Sequence, residues 1–449
     1  MSNQPLTKQT ITNEQLDTLM HFTLEQAKKA GATAAMVSIS TDRGFAVEVR
    51  MNEVETVAFH ENKALKLLVF INNRKGSASS TDLSVPTIEN LSIMACNIAK
   101  ASAPDPCFGL PDPKLVSTIH PDLKLDHPWS ITPSIAIEKA LACEQQALHS
   151  DQRIHNSDGV HLSTYNFCNG FANTHGAKGI IHSSRHNISC SLIAGADSFM
   201  QRDYYYSTAT DPTNLQSIEE VAQLAVERAI SRLGARKLKT QKVPVLFSTR
   251  IASSLLSNFI NAISGNNLYR KNSFLLDSIN EQIFPRGFKI YEQPYLLGAL
   301  GSASFDGEGV PTRNNVIIDN GKLCQYVLNS YSARKLGLET TANADGVHNL
   351  TIEANAKSLA DLLVMMNKGL LVTELMGQGI NGLTGDYSRG ATGFWVEDGK
   401  IQFPVEEITI AGNLKDMFKN IIAVGNDLNP NIATRCGSVL IEEMMVAGH

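Results

Sequence analysis

Twice before residue 240 the chain runs a capped amphipathic helix into long alternating stretches and out through a second helix, and this recurrence restricts the fold more than any other feature. The first helix spans 12 to 31. Thr12-x-x-Gln15 forms a capping box, Leu16, Leu19, Met20, Leu24 and Ala27 share a side, and Gly31 stops it. The segments AAMVSIST, GFAVEVRM, VETVAFHE and ALKLLVFI then alternate as an antiparallel meander, ending in the polar turn RKGSASSTDLS. A helix over 85 to 102 opens with Pro86 in its first turn. After a segment rich in proline, Thr132-Pro133 opens a helix to about 149, and RIHNSDGVHLSTYNF and IIHSSRHNISCSLIAG read as strands. Ser217-x-x-Glu220 caps a fourth helix, to Leu233.

A chain of 449 residues exceeds one compact core. The fold class is α+β, with two helix–antiparallel-sheet–helix units followed by a larger β-rich C-terminal domain. The divisions fall at 1–103, a proline-rich linker at 104–133, 134–238, and 239–449. Glycines and hairpin signals such as NNVIIDNGKLCQYVL mark the last part, where Asn320-Gly321 supplies a tight turn.

A net charge of -5 offers no basic footprint for nucleic acid. The N-terminus MSNQPLTKQTITNEQ lacks a signal-peptide layout, and the apolar runs fall well short of the roughly 18 residues of a membrane span, so a cytoplasmic protein is expected. Seven scattered cysteines (96, 107, 143, 168, 190, 324, 436) without C-x-x-C suit reduced core thiols.

GQGING, residues 377 to 382, matches the dinucleotide fingerprint G-x-G-x-x-G. That motif needs a strand before it and a helix after it. GLLVTELM supplies the strand, but LTGDYSRGATGFWVEDG has no helical repeat, and GFWVEDGKIQFPV reads as a hairpin turning at Asp398-Gly399. The expectation is a glycine loop shaped for close backbone approach, around Gly377, Gly379 and Gly382. Asp386, Tyr387, Ser388 and Arg389, between Gly385 and Gly390, either place polar groups in a cleft or form a solvated turn.

His182, His186 and Cys190 sit four apart in a β-like stretch, which leaves successive members about 13 Å from each other, too far for one ion. His60-Glu61 has no second histidine one turn later, and no G-x-S-x-G elbow occurs.

Residues 251 to 267, IASSLLSNFINAISGNN, read as one amphipathic helix whose wet side is Ser253, Ser254, Ser257, Asn258, Asn261 and Ser264. No charged residue occurs between Arg250 and Arg270. A neutral polar face of this kind suits an enclosed cavity or a subunit interface, against the plainer alternative of a bland surface helix.

The stretches NRKGSASSTDLS, PDPC, YRKNSFLLDS, SYSARKLGL, VTELMGQGINGLTGDYSRGATGFWVE, EITIAGNLKDMF and CGSV, in order across nearly the whole length, closely resemble the TldD/PmbA protein family in its PmbA (TldE) branch. The resemblance implies a metallopeptidase of two related subunits that cleaves unfolded or small peptides, tied to peptide-antibiotic maturation, antitoxin degradation and the description "modulator of DNA gyrase". In the TldD branch a helix with H-E-x-x-x-H and a cysteine near the C-terminus hold the metal. Aligned on Tyr269-Arg270-Lys271, those helix positions become Ser257, Asn258 and Ala262, and Cys436 matches the cysteine. The resemblance thus implies no metal in this chain, zinc in a TldD-like partner, and peptide contacts from this subunit's glycine-rich hairpins. A non-catalytic homodimeric regulator, or a weak enzyme with its own metal site, is the alternative.

Overall fold

The computed structural model describes residues 11–355 and 358–448. The reading of the N-terminus as leaderless falls largely on residues outside them.

The first unit contains α1 (Asn13–Lys29), β1 (Ala34–Arg50), β2 (Glu53–Ile71), β3 (Arg74–Ser80) and α2 (Val85–Ala101). Thr12 accepts from the Gln15 amide and Gln15 returns a bond to the Thr12 amide, completing the capping box. The four expected meander segments are two long strands. The chain runs straight through Asp42-Arg43-Gly44, because Gly44 lies against the neighbouring strand, where an added Cβ would stand 2.1 Å from the Thr164 carbonyl oxygen. It turns instead at Met51-Asn52, both at positive φ. The segment read as a polar turn after β2 is largely the edge strand β3.

The second unit contains α3 (Pro133–Ser150), β4 (Ile154–Asn173), β5 (Lys178–Ala194), β6 (Gln201–Ala209) and α4 (Ile218–Ser231). Ser217 and Glu220 complete a second capping box. The strands of both units form one antiparallel sheet, β3-β2-β1-β4-β5-β6, joined where β1 pairs with β4. Length explains the sharing: β1 has 17 residues, which extend about 55 Å, whereas a helix of equal length covers about 25 Å. Ala35, Val37 and Ile39 therefore pack beneath α1 and α2, while Phe45, Val47 and Val49 on the same face pack beneath α3 and α4.

The C-terminal part begins with β7 (Gln241–Phe247), α5 (Ser253–Ala262) and α6 (Gly265–Tyr269). A small sheet follows from β8 (Ile290–Glu292), β9 (Asn315–Asp319) and β10 (Lys322–Leu323), then α7 (Ser330–Leu336) and β11 (Leu350–Ile352), in the order β10-β9-β8-β11. The remaining elements are α8 (Leu359–Met366), β12 (Gly369–Met376), β13 (Asp386–Glu397), β14 (Lys400–Asn413), α9 (Leu414–Lys419), β15 (Ile421–Val424) and β16 (Val439–Ala447). Strands β14-β13-β12-β7-β16 curl until β14 pairs with β16, which closes a barrel. β7 is buried on both faces. Val245 and Phe247 enter the main core, and Leu246 packs under α8 with Leu362 and Met366.

Among the described residues no helix is long and apolar enough to cross a membrane. All seven cysteines are unpaired.

Candidate functional site

The helix expected over 251 to 267 is two helices. α5 ends at Ala262 because Ser264 adopts an extended backbone, and the chain pauses there to bond with Val327: Val327 N donates to Ile263 O and Gly265 N donates to Val327 O. Gly265 admits Ser332 to a spot where a Cβ would lie 2.2 Å from Ser332 Oγ.

α5 is anchored by Leu255, Leu256, Phe259 and Ala262, all buried. Phe259 stands edge-on to Phe284 and Phe418, at ring distances of 5.1 and 5.8 Å. Its opposite face is exposed at Ser257 and Asn261, and it borders a groove of about 410 Å³ rather than an enclosed cavity. The far wall comprises Asn329, Asn343, Ala344, Gly346 and Thr434, and no charged side chain lines it among the described residues. Ser257 Oγ donates to Ser253 O at 3.0 Å, and Asn267 Nδ2 donates to Asn261 Oδ1 at 2.9 Å.

Ser257, Asn258 and Ala262 do not converge. Positions five apart differ by about 140° around a helix, so Ala262 is buried in the core while Ser257 faces the groove. Cys436 is fully buried, its Sγ donates to Gly437 O at 3.2 Å, and burial pushes its pKa up to about 12. Its carbonyl accepts from Thr249 Oγ1 at 3.1 Å, which ties it to the segment leading into α5. A hydroxyl, an amide and a methyl group supply no zinc ligands of the usual kind. Among the described residues, no cluster of three His, Cys, Asp or Glu side chains is arranged to hold an ion. The residues present therefore do not fit the metal that the resemblance places on the TldD helix.

β5 carries His182, His186 and Cys190 along a strand, as expected. His186 is buried, its Nδ1 2.9 Å from Thr164 Oγ1 and its Nε2 2.9 Å from the His127 carbonyl oxygen. His60 lies on β2 with Nε2 2.6 Å from Asp42 Oδ2.

The glycine loop joins β12 to β13, so a strand follows GQGING where a phosphate site would need a helix. Gly379 approaches its own hairpin: a Cβ there would lie 1.9 Å from Ser388 O, and Ser388 N donates to Gly379 O at 2.7 Å. Gly377 is needed for its positive φ, and Gly382 O accepts from Phe274 N. Residues 386 to 389 open β13 instead of lying in a loop, since the turn closes earlier, where Asn381 N donates to Asp386 O. Their side chains divide. Asp386 accepts from Thr384 and Asn413, Tyr387 is buried in the barrel, where desolvation pushes its pKa up to about 12, and Arg389 faces a separate cavity beside Arg250.

One constellation has no sequence signal. Glu292, 1% exposed, lies behind the groove and accepts from His348 N at 2.7 Å, His348 Nδ1 at 2.8 Å, and the amides of Asn343 and Asn315 at 2.9 Å. Burial alone would lower the His348 pKa, but the Glu292 carboxylate, with Asp345 and Asp306 adding to it, outweighs burial and raises the value. This buried pair holds the loop 343–348 that forms the groove's far wall.

A sheet carrying two helix pairs, followed by a barrel with this broken helix and groove, defines a class. Three family models match in order: PmbA/TldA metallopeptidase domain 1 over residues 35–102, the central domain over 126–233 and the C-terminal domain over 240–448. The chain belongs to the PmbA/TldD metallopeptidase family. It is 47% identical over 414 residues to the metalloprotease PmbA of Escherichia coli O157:H7, covering 92% of each chain. The crystal structure of a candidate modulator of DNA gyrase from Bacteroides thetaiotaomicron superposes with a TM-score of 0.92 at 30% identity, covering 98% of this chain and all of that one. TldE from Thermococcus kodakarensis shares the fold, with a TM-score of 0.83 at 22% identity over 96% of this chain and all of the other.

Proposed function

We propose that this chain is the PmbA/TldE-type subunit of a two-subunit cytoplasmic metallopeptidase. In this reading it forms one wall of a peptide-binding chamber, and a TldD-like partner supplies the zinc and the hydrolytic chemistry. The observation that carries the proposal is the open, uncharged groove along α5, at the helix where Ser257, Asn258 and Ala262 replace a metal-binding set. A neutral groove flanked by Gly265, Ala344 and Gly346 leaves backbone within reach of an extended peptide and reads few side chains, which suits unfolded or small peptides of varied sequence.

The test is hydrolysis of an unstructured peptide by this chain, by a TldD-like subunit and by their mixture, with metal content and size measured for each. Activity confined to the mixture, with metal in the partner, is expected. Activity with stoichiometric metal in this chain alone refutes the proposal. A homodimer that binds peptide and leaves the partner's activity unchanged favours the regulatory alternative.

A further inference from the structure

A cavity of about 470 Å³ opens at the N-terminal end of α5, walled by Tyr204 to Tyr206 of β6, Arg228 of α4, Arg250, and Arg389 of β13. Its charges do not balance. Arg250 clamps Asp203 with contacts of 2.6 and 3.0 Å, and Arg232 reaches Glu374 at 2.6 Å and Asp203 at 3.6 Å. Those two carboxylates are thereby engaged, yet Arg228 and Arg389 have no carboxylate within 4.0 Å among the described residues. Among the described residues Arg228 donates to the Tyr204 carbonyl, at 3.0 Å, and lies over the Tyr205 ring, 4.5 Å from its guanidinium carbon, with the Asp203 charge acting from beyond ion-pair distance. Its burial and the neighbouring Arg250 pull its pKa down to about 10.

Two donors at the cavity are also unmatched. Arg389 Nε and Ser254 Oγ are buried without a hydrogen-bond partner among the described residues, although the Arg389 guanidinium also lies beside the Tyr387 hydroxyl. Buried polar groups are ordinarily paired, and a half-buried cation without a nearby anion still carries a desolvation cost. An anion in the cavity would balance the guanidinium charge of Arg228 and Arg389, both of which line it.

The identity of the anion follows from the surroundings. Glu374 lines the same cavity and disfavours a doubly charged phosphate, while Leu375, Leu428 and Pro430 offer apolar surface for a side chain beside the charge. Ser253 at this cavity, then Ser257 and Asn261 at the neutral groove, follow one another at four-residue intervals along α5. That stripe covers about 12 Å, the length of about four extended residues.

We propose that this arginine cavity binds the terminal α-carboxylate of a peptide whose preceding residues lie along the α5 groove, so that the chain selects peptides with a free C-terminus. The inference rests on the peptide-binding reading above and adds a recognition element to it.

The experiment measures binding of an N-terminally labelled, unstructured peptide to the full chain by fluorescence anisotropy, as the free acid and as the C-terminal amide. Inorganic phosphate and acetate serve as competitors. The acid should bind about tenfold tighter or better, the scale of one or more charge-assisted hydrogen bonds. Arg389→Gln should bring the acid to the amide's affinity without changing the amide. Glu374→Gln should tighten only the acid, a gain that misfolding does not produce. Equal binding of acid and amide overturns the carboxylate site and leaves the peptide reading standing. Failure of both peptides to bind, with this chain alone and mixed with a TldD-like subunit, overturns both. Displacement by phosphate at a tenfold lower concentration than acetate reassigns the cavity to phosphate and overturns the proposal.

Discussion

Replacing Glu292 with Gln tests whether the buried pair behind the groove holds its far wall. The carboxylate accepts on both oxygens: Oε1 from His348 N, His348 Nδ1 and Asn343 Nδ2, and Oε2 from Asn315 Nδ2 and Asn343 Nδ2. A glutamine keeps the volume but turns one acceptor into a donor that meets the donors already there. Whichever way the amide lies, at least one buried amide loses its partner, at about 1 to 3 kcal/mol, and the loss of charge at His348 takes the total to about 3 kcal/mol or more. Local opening of residues 343–348 should become about a hundredfold more frequent. Amide hydrogen exchange reads this at His348, whose N–H donates to Glu292. The pH dependence has a definite sign. With its folded pKa raised, His348 contributes stability that is fully present below its unfolded pKa of about 6.5 and is lost as pH rises through the folded value. Protection of this loop in the native protein should therefore fall from about pH 6.5 upward, and Glu292→Gln should flatten that fall. An exchange rate within threefold of the native one, or an unchanged pH profile, would refute the reasoning.

Ser257→Lys with Asn261→Lys places two charges on an exposed, neutral face, so peptide affinity should fall about tenfold with little change in the thermal midpoint, measured by anisotropy and by thermal unfolding. Phe259→Ala removes a fully buried ring from its contacts with Phe284 and Phe418 and should cost about 3 to 5 kcal/mol, lowering the C-terminal domain's midpoint by about 10 °C. Gly379→Ala forces a Cβ to within 1.9 Å of Ser388 O, and the hairpin should open at a cost of about 1 to 3 kcal/mol, seen as faster exchange at Ser388 N–H. A thiol reagent at pH 8 should label exposed Cys324 quickly and leave Cys436 untouched until the protein unfolds, because burial keeps the Cys436 thiol neutral.

The resemblance and the helix caps were legible for a local reason. A capping box lies within four residues, so Thr12-Gln15 and Ser217-Glu220 mark their helices in any context. The hairpin turns at Asn320-Gly321 and Asp398-Gly399 are equally local, set by residues that accept positive φ. The strand β6, QRDYYYSTA, escaped notice because its charged and tyrosine residues show no clean apolar alternation. Asp203 is buried there because Arg250, 47 residues later, and Arg232 neutralise it.

The sequence by itself determined the α+β class, the four helices that flank the first two units, and the absence of imidazole and carboxylate side chains at Ser257, Asn258 and Ala262, since each is written in short-range pattern or in residue identity. Tertiary structure alone decided that β1 and β4 merge two units into one sheet, that β14 and β16 close a barrel, and that α5 breaks at Ser264 against Val327. It also brought Glu292 to His348 and set Arg228 and Arg389 around one cavity, neither within ion-pair distance of a carboxylate among the described residues. The physical reason is range: a cap or a turn is satisfied within a few residues, whereas register, closure and the pairing of buried charge depend on which distant backbone and side-chain groups fill the remaining space.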